Sequence, residues 1–155
     1  MTKAEFVQKA YAAAAESSRT SGMPPMVAVA QAALESSWGQ SRLSRQANNY
    51  FGIKAFGAHN CIEMTTEECK DGRRVAVKAA FATYHSMIDC FRCHDSILAS
   101  SAIYASAREV REDEQAFIRE IARHWATDPK YGEKLSEMVV EVRELLKGQV
   151  KRSEG

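Results

Sequence analysis

Ala32-Ala33-Leu34-Glu35-Ser36-Ser37-Trp38-Gly39 places one acidic residue at the end of an otherwise apolar stretch. Just upstream, Pro24-Pro25-Met26-Val27-Ala28-Val29-Ala30-Gln31 carries no charge, and Glu35 is the sole charged residue from Met23 to Gln40. Met26, Ala30, Ala33, Leu34 and Trp38 recur at helical spacing. They predict a helix that Pro24-Pro25 opens and Gly39 ends or loosens, with Glu35 in its last turns. A carboxyl group pressed against a core is expensive to ionise, so its pKa is expected to rise. An acid that stays protonated near neutral pH can hand a proton to a leaving group. The ordinary alternative is a solvated helix-end carboxylate, but this helix offers Glu35 no charged partner.

Around this helix the chain reads as mostly α with one small β element, an α+β class. Thr2-Lys3-Ala4-Glu5 is a capping-box pattern, and Phe6, Ala10, Ala13 and Ser17 then share one face, which predicts a helix from 3 to about 18. Ser18 to Gly22 reads as a linker, and 44–60 as a polar, aromatic and glycine-bearing connector. Asp71-Gly72 is a hairpin turn signal, and Val75, Val77, Ala79 and Phe81 alternate after it. The expected strands are roughly 61–69 and 73–81, with acids at Glu63, Glu67 and Glu68. Ser86-Met87-Ile88-Asp89 opens a helix to about Ser100. Another runs from about Glu112 to Arg123, with Phe117 and Ile121 inward. Thr127-Asp128-Pro129 starts a long final helix with Tyr131, Leu135, Met138, Val142 and Leu145 as its buried stripe and Gly148 as its end.

The 155 residues fit one domain, 1–150, followed by a polar tail, 151–155. A net charge of +1 with both signs scattered gives no basic block for nucleic acid. No apolar run is long enough to span a bilayer, and Met1-Thr2-Lys3-Ala4-Glu5 is not a secretory leader. Export by another route, release by lysis, or excision from a larger protein remain as expectations. The chain is expected to be a monomer without membrane insertion.

The four cysteines fall in two pairs, Cys61 with Cys69 and Cys90 with Cys93. Disulfides, a metal site or thiols are all open. Cys90-Phe91-Arg92-Cys93-His94 spells a haem-attachment pattern but lacks an evident axial ligand. Zinc, helped by His59, His85 or His94, would require a spacing that matches no standard finger. The plainest reading puts Cys90 and Cys93 as neighbours on a helix, partly buried.

Ala30-Gln31-Ala32-Ala33-Leu34-Glu35-Ser36-Ser37-Trp38-Gly39 resembles the active-site helix of the glucosaminidase family of peptidoglycan hydrolases. Asn49-Tyr50-Phe51-Gly52-Ile53-Lys54, Thr65-Thr66-Glu67, Phe81-Ala82-Thr83-Tyr84-His85-Ser86 and Ala126-Thr127-Asp128-Pro129-Lys130-Tyr131 with Lys134-Leu135 resemble further family segments, in order. Together they cover about residues 25–146. The resemblance implies a lysozyme-like helical lobe with a small β-lobe. It also implies cleavage of the β-1,4 bond between N-acetylglucosamine and N-acetylmuramic acid in cell-wall glycan.

By the same resemblance, Glu35 matches the general acid. Glu67 matches the hairpin acid that acts as base for a water or stabilises an oxocarbenium-like transition state. Glu68 points to the opposite face of a strand, and Glu63 shares the face of Glu67. No metal or organic cofactor is required, because two carboxyl groups suffice for this chemistry. Their separation would distinguish inverting from retaining chemistry, about 6.5–9.5 Å against about 5–5.5 Å. The chain departs from the family at Trp125, preceded by His124, where relatives carry a tyrosine. Trp125 keeps a ring to stack on a sugar but has no hydroxyl. Tyr131 and Tyr84 are the nearest candidates to supply one. Tyr50 is placed at the cleft edge, Phe51 in packing, and Asp128 as a cap. Two other readings stay open: a lytic transglycosylase working with one acid, and a glycan-binding or scaffolding module without turnover.

Overall fold

The computed structural model describes residues 1–57 and 60–154. The first helix, α1, spans Lys3–Ser21. The expected capping box is formed: Thr2 Oγ1 accepts from the Glu5 N–H at 3.1 Å, and the Thr2 N–H donates to Glu5 Oε2 at 3.3 Å. Phe6, Ala10, Ala13 and Ser17 are all buried, as their spacing required. The helix outruns its expected end, and Gly22 closes it with φ +72°.

The next helix, α2 (Pro25–Ser36), is the axis of the molecule. Eight of its twelve residues are buried, so it is apolar nearly all round, as a central helix must be. It packs on α1 and on the last helix, α7 (Tyr131–Glu154). Its alanines let those neighbours approach closely.

The end of α2 differs from the expected one. It stops at Ser36, and Trp38 lies outside it in a turn whose residues Ser37, Trp38 and Gly39 all have positive φ (50°, 59° and 77°). Ser36 Oγ holds this turn, donating to the Ala32 carbonyl at 2.6 Å and accepting from the Gly39 N–H at 2.9 Å. A Cβ on Gly39 would stand 3.0 Å from the Phe6 ring. Glycine is therefore required there by backbone and by space. Trp38 packs edge-on to Phe6 and under Lys3 Nζ.

A short helix, α3 (Arg42–Ala47), lies at the start of the supposed connector. Asn49 fixes the loop that follows. Its buried Nδ2 donates to the Ile53 and Ala82 carbonyls at 2.8 and 2.9 Å, and its Oδ1 accepts from the N–H groups of Phe51 and Ile53. This ties 49–53 to the base of the hairpin, where the Ala82 N–H donates to Ile53 O and the Ala55 N–H to Ala80 O.

Strands β1 (Cys61–Lys70) and β2 (Arg73–Ala82) form an antiparallel ribbon. Asp71 and Gly72 both have positive φ, as a two-residue hairpin turn of the primed type demands. The register pairs Ile62 with Phe81, Met64 with Ala79, Thr66 with Val77 and Glu68 with Val75. These side chains share the more covered face. Glu63, Thr65 and Glu67 stand on the exposed one.

The helix α4 (Met87–Ser100) is capped by Ser86. A 3-10 turn at Ala102–Tyr104 and the short helix α5 (Ala105–Glu109) follow, neither of which periodicity revealed. Then comes α6 (Glu114–Trp125), with Asp113 as its cap. In α7 the expected stripe faces inward, with Tyr131, Leu135 and Val142 buried. Two expectations fail at its ends. Pro129 precedes the helix, with Asp128 bonding the Lys130 N–H at 2.9 Å in the turn before it. Gly148 does not stop the helix, and residues 151–154 of the supposed tail continue it. A helical glycine costs only about 1 kcal/mol.

Candidate active site

Glu35 sits in the last turn of α2, half-buried between the core and the turn held by Ser36. Burial raises its pKa, opposed by a hydrogen bond from Tyr131. The expectation drawn from an uncharged helix is therefore met, and for the reason given. Tyr131, at the start of α7, is buried. Its phenol pKa is pushed well up, first by burial and then by the Glu35 charge. The phenol remains a hydrogen-bond donor at any relevant pH. Of the two tyrosines named as substitutes for the missing family hydroxyl, Tyr131 is the one brought to Glu35. The hydroxyl of Tyr84 lies against Cys93 instead.

Trp125, the last residue of α6, is partly buried. Its ring is edge-on to Phe51 at 6.3 Å and to His94 at 5.2 Å. Phe51 stacks flat on His94 at 4.0 Å, a packing role as expected. His124 is exposed and its ring meets Tyr104 at 6.0 Å. Tyr50 departs from expectation. It is 8% exposed, packed on Phe6, and its N–H donates to Cys90 Sγ at 3.4 Å. It is a core residue with little surface to offer a sugar.

Glu67, with 68% of its side chain exposed, faces Arg74 at 3.5 Å. Glu68, at 38%, faces Lys54 at 3.6 Å on the covered side. Lys54 bridges Phe81 and so lies beside Ile62, six residues before Glu68. A flat strand would place those two positions about 20 Å apart, so the ribbon must curl back over its base for the ion pair to form. The fold therefore assigns Glu67 and Glu68 to opposite faces, each beside a basic side chain.

Three residues near the site carried no catalytic reading in the sequence. Gln31 lies one turn before Glu35 and is wholly buried, as are His94 and Asp95. Gln31 Nε2 donates to Tyr131 Oη at 3.2 Å. The signal was present: a lone amide in an apolar helix, four residues from the lone acid.

Cavities and chemistry part company here. A depression of about 400 Å³ at the hairpin base is lined by Asn60, Thr83, Tyr84, His85, Asp89 and Cys93. A groove of about 890 Å³ lies between α6 and α7, beside Arg123, Asp128 and Gly132. Neither contains Glu35, whose perturbed carboxyl marks the site more sharply than concavity does.

The cysteines are thiols. Cys61 and Cys69 lie on the exposed face of β1, opposite Ala82 and Arg74. Burial pushes the Cys90 thiol up to about 12. His94 spends both ring nitrogens on protein partners, so the haem-like motif offers no ligand there. His59 lies outside the described residues. Among the described residues no cluster of three or more His, Cys, Asp or Glu side chains could hold a metal ion.

The family model for glucosaminidases, described as mannosyl-glycoprotein endo-beta-N-acetylglucosaminidase, matches residues 11–144. The chain belongs to the glucosaminidase family. It is 32% identical over 145 residues to the peptidoglycan hydrolase FlgJ of Salmonella typhimurium, covering 90% of this chain and 46% of that protein. To the exo-glucosaminidase LytG of Bacillus subtilis it is 31% identical over 120 residues, 74% of this chain and 43% of LytG. This glucosaminidase-family chain thus spans less than half the length of either relative. Its fold is that of the catalytic domain of the Listeria monocytogenes autolysin Auto, with TM-score 0.81, 28% identity, and 92% and 86% of the two chains covered. A peptidoglycan hydrolase mutant from Sphingomonas sp. A1 matches with TM-score 0.81 and 30% identity, over 94% and 99% of the two chains. The mostly helical, lysozyme-like fold with one hairpin is shared. No helix among the described residues is long and apolar enough to cross a membrane.

Proposed function

We propose that this chain hydrolyses bacterial peptidoglycan at the β-1,4 bond between N-acetylglucosamine and N-acetylmuramic acid, as an endo-acting glucosaminidase working at the cell wall. The observation that carries the reading is the Glu35 carboxyl, half-buried at the end of α2 beside the Tyr131 phenol, where burial raises its pKa above the usual carboxylate value. A protonated carboxyl is what the departing glycosidic oxygen needs. As the bond breaks, the proton moves to that oxygen, and the new Glu35 carboxylate is met by the Tyr131 hydroxyl. Glu67 acts second, as base for a water or as a stabiliser of the positive sugar ring. Its exposed face and weak surface ion pair leave it available to a bound glycan, whereas Glu68 is turned to the covered side. Trp125 supplies a stacking ring, and Tyr84 borders the depression at the hairpin base.

One observation favours a second reading. Glu35 is half-buried while Glu67 stands exposed beside Arg74, which suits single-acid chemistry, in which a sugar hydroxyl attacks and leaves an anhydro-muramic end. Digestion of purified wall, followed by turbidity and by mass spectrometry of the ends, separates the two. New reducing N-acetylglucosamine ends support the hydrolase. Anhydro-muramic ends select the transglycosylase. Reducing N-acetylmuramic acid ends would overturn the choice of bond, and wall binding without cleavage would leave a glycan-binding module.

A further inference from the structure

A line of buried polar side chains runs through the apolar core and ends at the candidate acid. Ser17 and Ser21 of α1 donate to Asp95 Oδ2 at 2.7 and 3.0 Å. Asp95 Oδ1 lies 3.0 Å from His94 Nδ1, both on α4. His94 Nε2 lies 2.7 Å from Gln31 Oε1. Gln31 Nε2 donates to Tyr131 Oη at 3.2 Å, and Tyr131 lies beside Glu35, one helical turn on from Gln31. Four helices contribute, and His94 is 1% exposed. Any such group left unpaired would be costly, so this is an expensive way to fill a core.

Donor and acceptor bookkeeping gives the line a direction. Gln31 Oε1 is an acceptor, so His94 must present an N–H at Nε2. One proton lies between Nδ1 and Asp95 Oδ1, whose carboxyl group already accepts two hydroxyls at its other oxygen. With Oε1 engaged, the amide of Gln31 has its N–H turned to Tyr131. That N–H occupies a lone pair of the phenol oxygen and leaves the phenol O–H to turn toward Glu35. We infer that His94 and Asp95 are positioning residues: through Gln31 they set the sense of this hydrogen-bond line, so that the Tyr131 hydroxyl donates to one oxygen of Glu35 and leaves the other to carry the acid proton. The step from this line to turnover rests on Glu35 being the acid proposed above.

Without the His94 donor, Gln31 is no longer held. Turned over, its Oε1 takes the Tyr131 O–H, and Glu35 loses the donor that meets its carboxylate. His94→Phe keeps a ring against Phe51 and removes the N–H. His94→Gln restores an amide N–H at about the place of Nε2. Asp95→Leu removes the partner that orients His94, and serves if His94→Phe does not fold.

The test is a carbon-detected NMR titration of the Glu35 carboxyl, with turnover of soluble wall fragments measured alongside. His94→Phe and Asp95→Leu are expected to move the Glu35 midpoint up by about one pH unit, a tenfold effect, as for one lost charge-assisted hydrogen bond. Turnover should fall about tenfold with KM unchanged, and His94→Gln should restore both. A folded His94→Phe or Asp95→Leu protein that titrates like the parent overturns the inference. If the titration moves but the parent cuts no wall, the line stands and the proposed function falls. If wall is cut and the titration does not move, the reverse holds.

Discussion

The helical lobe and the hairpin each present a candidate glutamate, in opposite settings. Glu35 rises from the most buried helix of the molecule, beside a buried tyrosine and a turn with three positive φ values. Glu67 stands on the exposed face of a two-stranded ribbon, beside an exposed arginine. Their lesson is that the two acids are prepared by different means. Desolvation raises the Glu35 pKa before any substrate arrives. Glu67 stands exposed on its strand, where a base or a countercharge would be open to a bound glycan.

The strongest way to break this comparison is to remove each acid in turn. Glu35→Gln keeps shape and loses the proton, and wall-clearing activity should fall about 10³-fold, within the range of a general acid. Glu67→Gln should cost less, about 10²-fold, and Glu68→Gln under about threefold. A dead Glu68→Gln beside an active Glu67→Gln would move the second role to the covered face. The rigidity of the lobe is tested at Gly39. Gly39→Ala meets both a φ of +77° and the Phe6 ring at 3.0 Å, so chemical denaturation should show a loss of about 2 kcal/mol. The smallest effect belongs to the ribbon, where Arg74→Ala removes an exposed ion pair and should change stability by less than about 0.5 kcal/mol.

What the sequence disclosed divides along the same line. Capping residues and alternation are local, so α1, α4 and the hairpin register could be read from Thr2 with Glu5, from Ser86, and from Asp71-Gly72. Glu35 was legible because it is the lone charge of its helix. The turn after it was not, because helical spacing continues to Trp38 while the backbone has already left the helix. The short helices Arg42–Ala47 and Ala105–Glu109 carry too few residues for a period to show. The partnership of Gln31 with Tyr131 joins positions 100 residues apart, and only packing could bring them together. Tyr50 was misplaced because a tyrosine beside a glycine loop looks the same in sequence whether its ring faces the core or the surface.

That Glu35 is an acid held neutral by its burial is the central claim, and it is testable without any substrate. A carboxyl whose pKa is raised on folding above its ordinary value near 4.5 binds its proton more tightly in the native state. It therefore costs no stability at low pH, where both states are protonated, and stability is lost as pH rises from about 4.5 through the native value. Glutamine is neutral throughout. The measurement is the difference in Tm between Glu35→Gln and the parent at pH 4 and at pH 7. The expected result is a gap near zero at pH 4 and a more stable variant at pH 7. An equal gap at both pH values, or a variant that loses ground at pH 7, would contradict it.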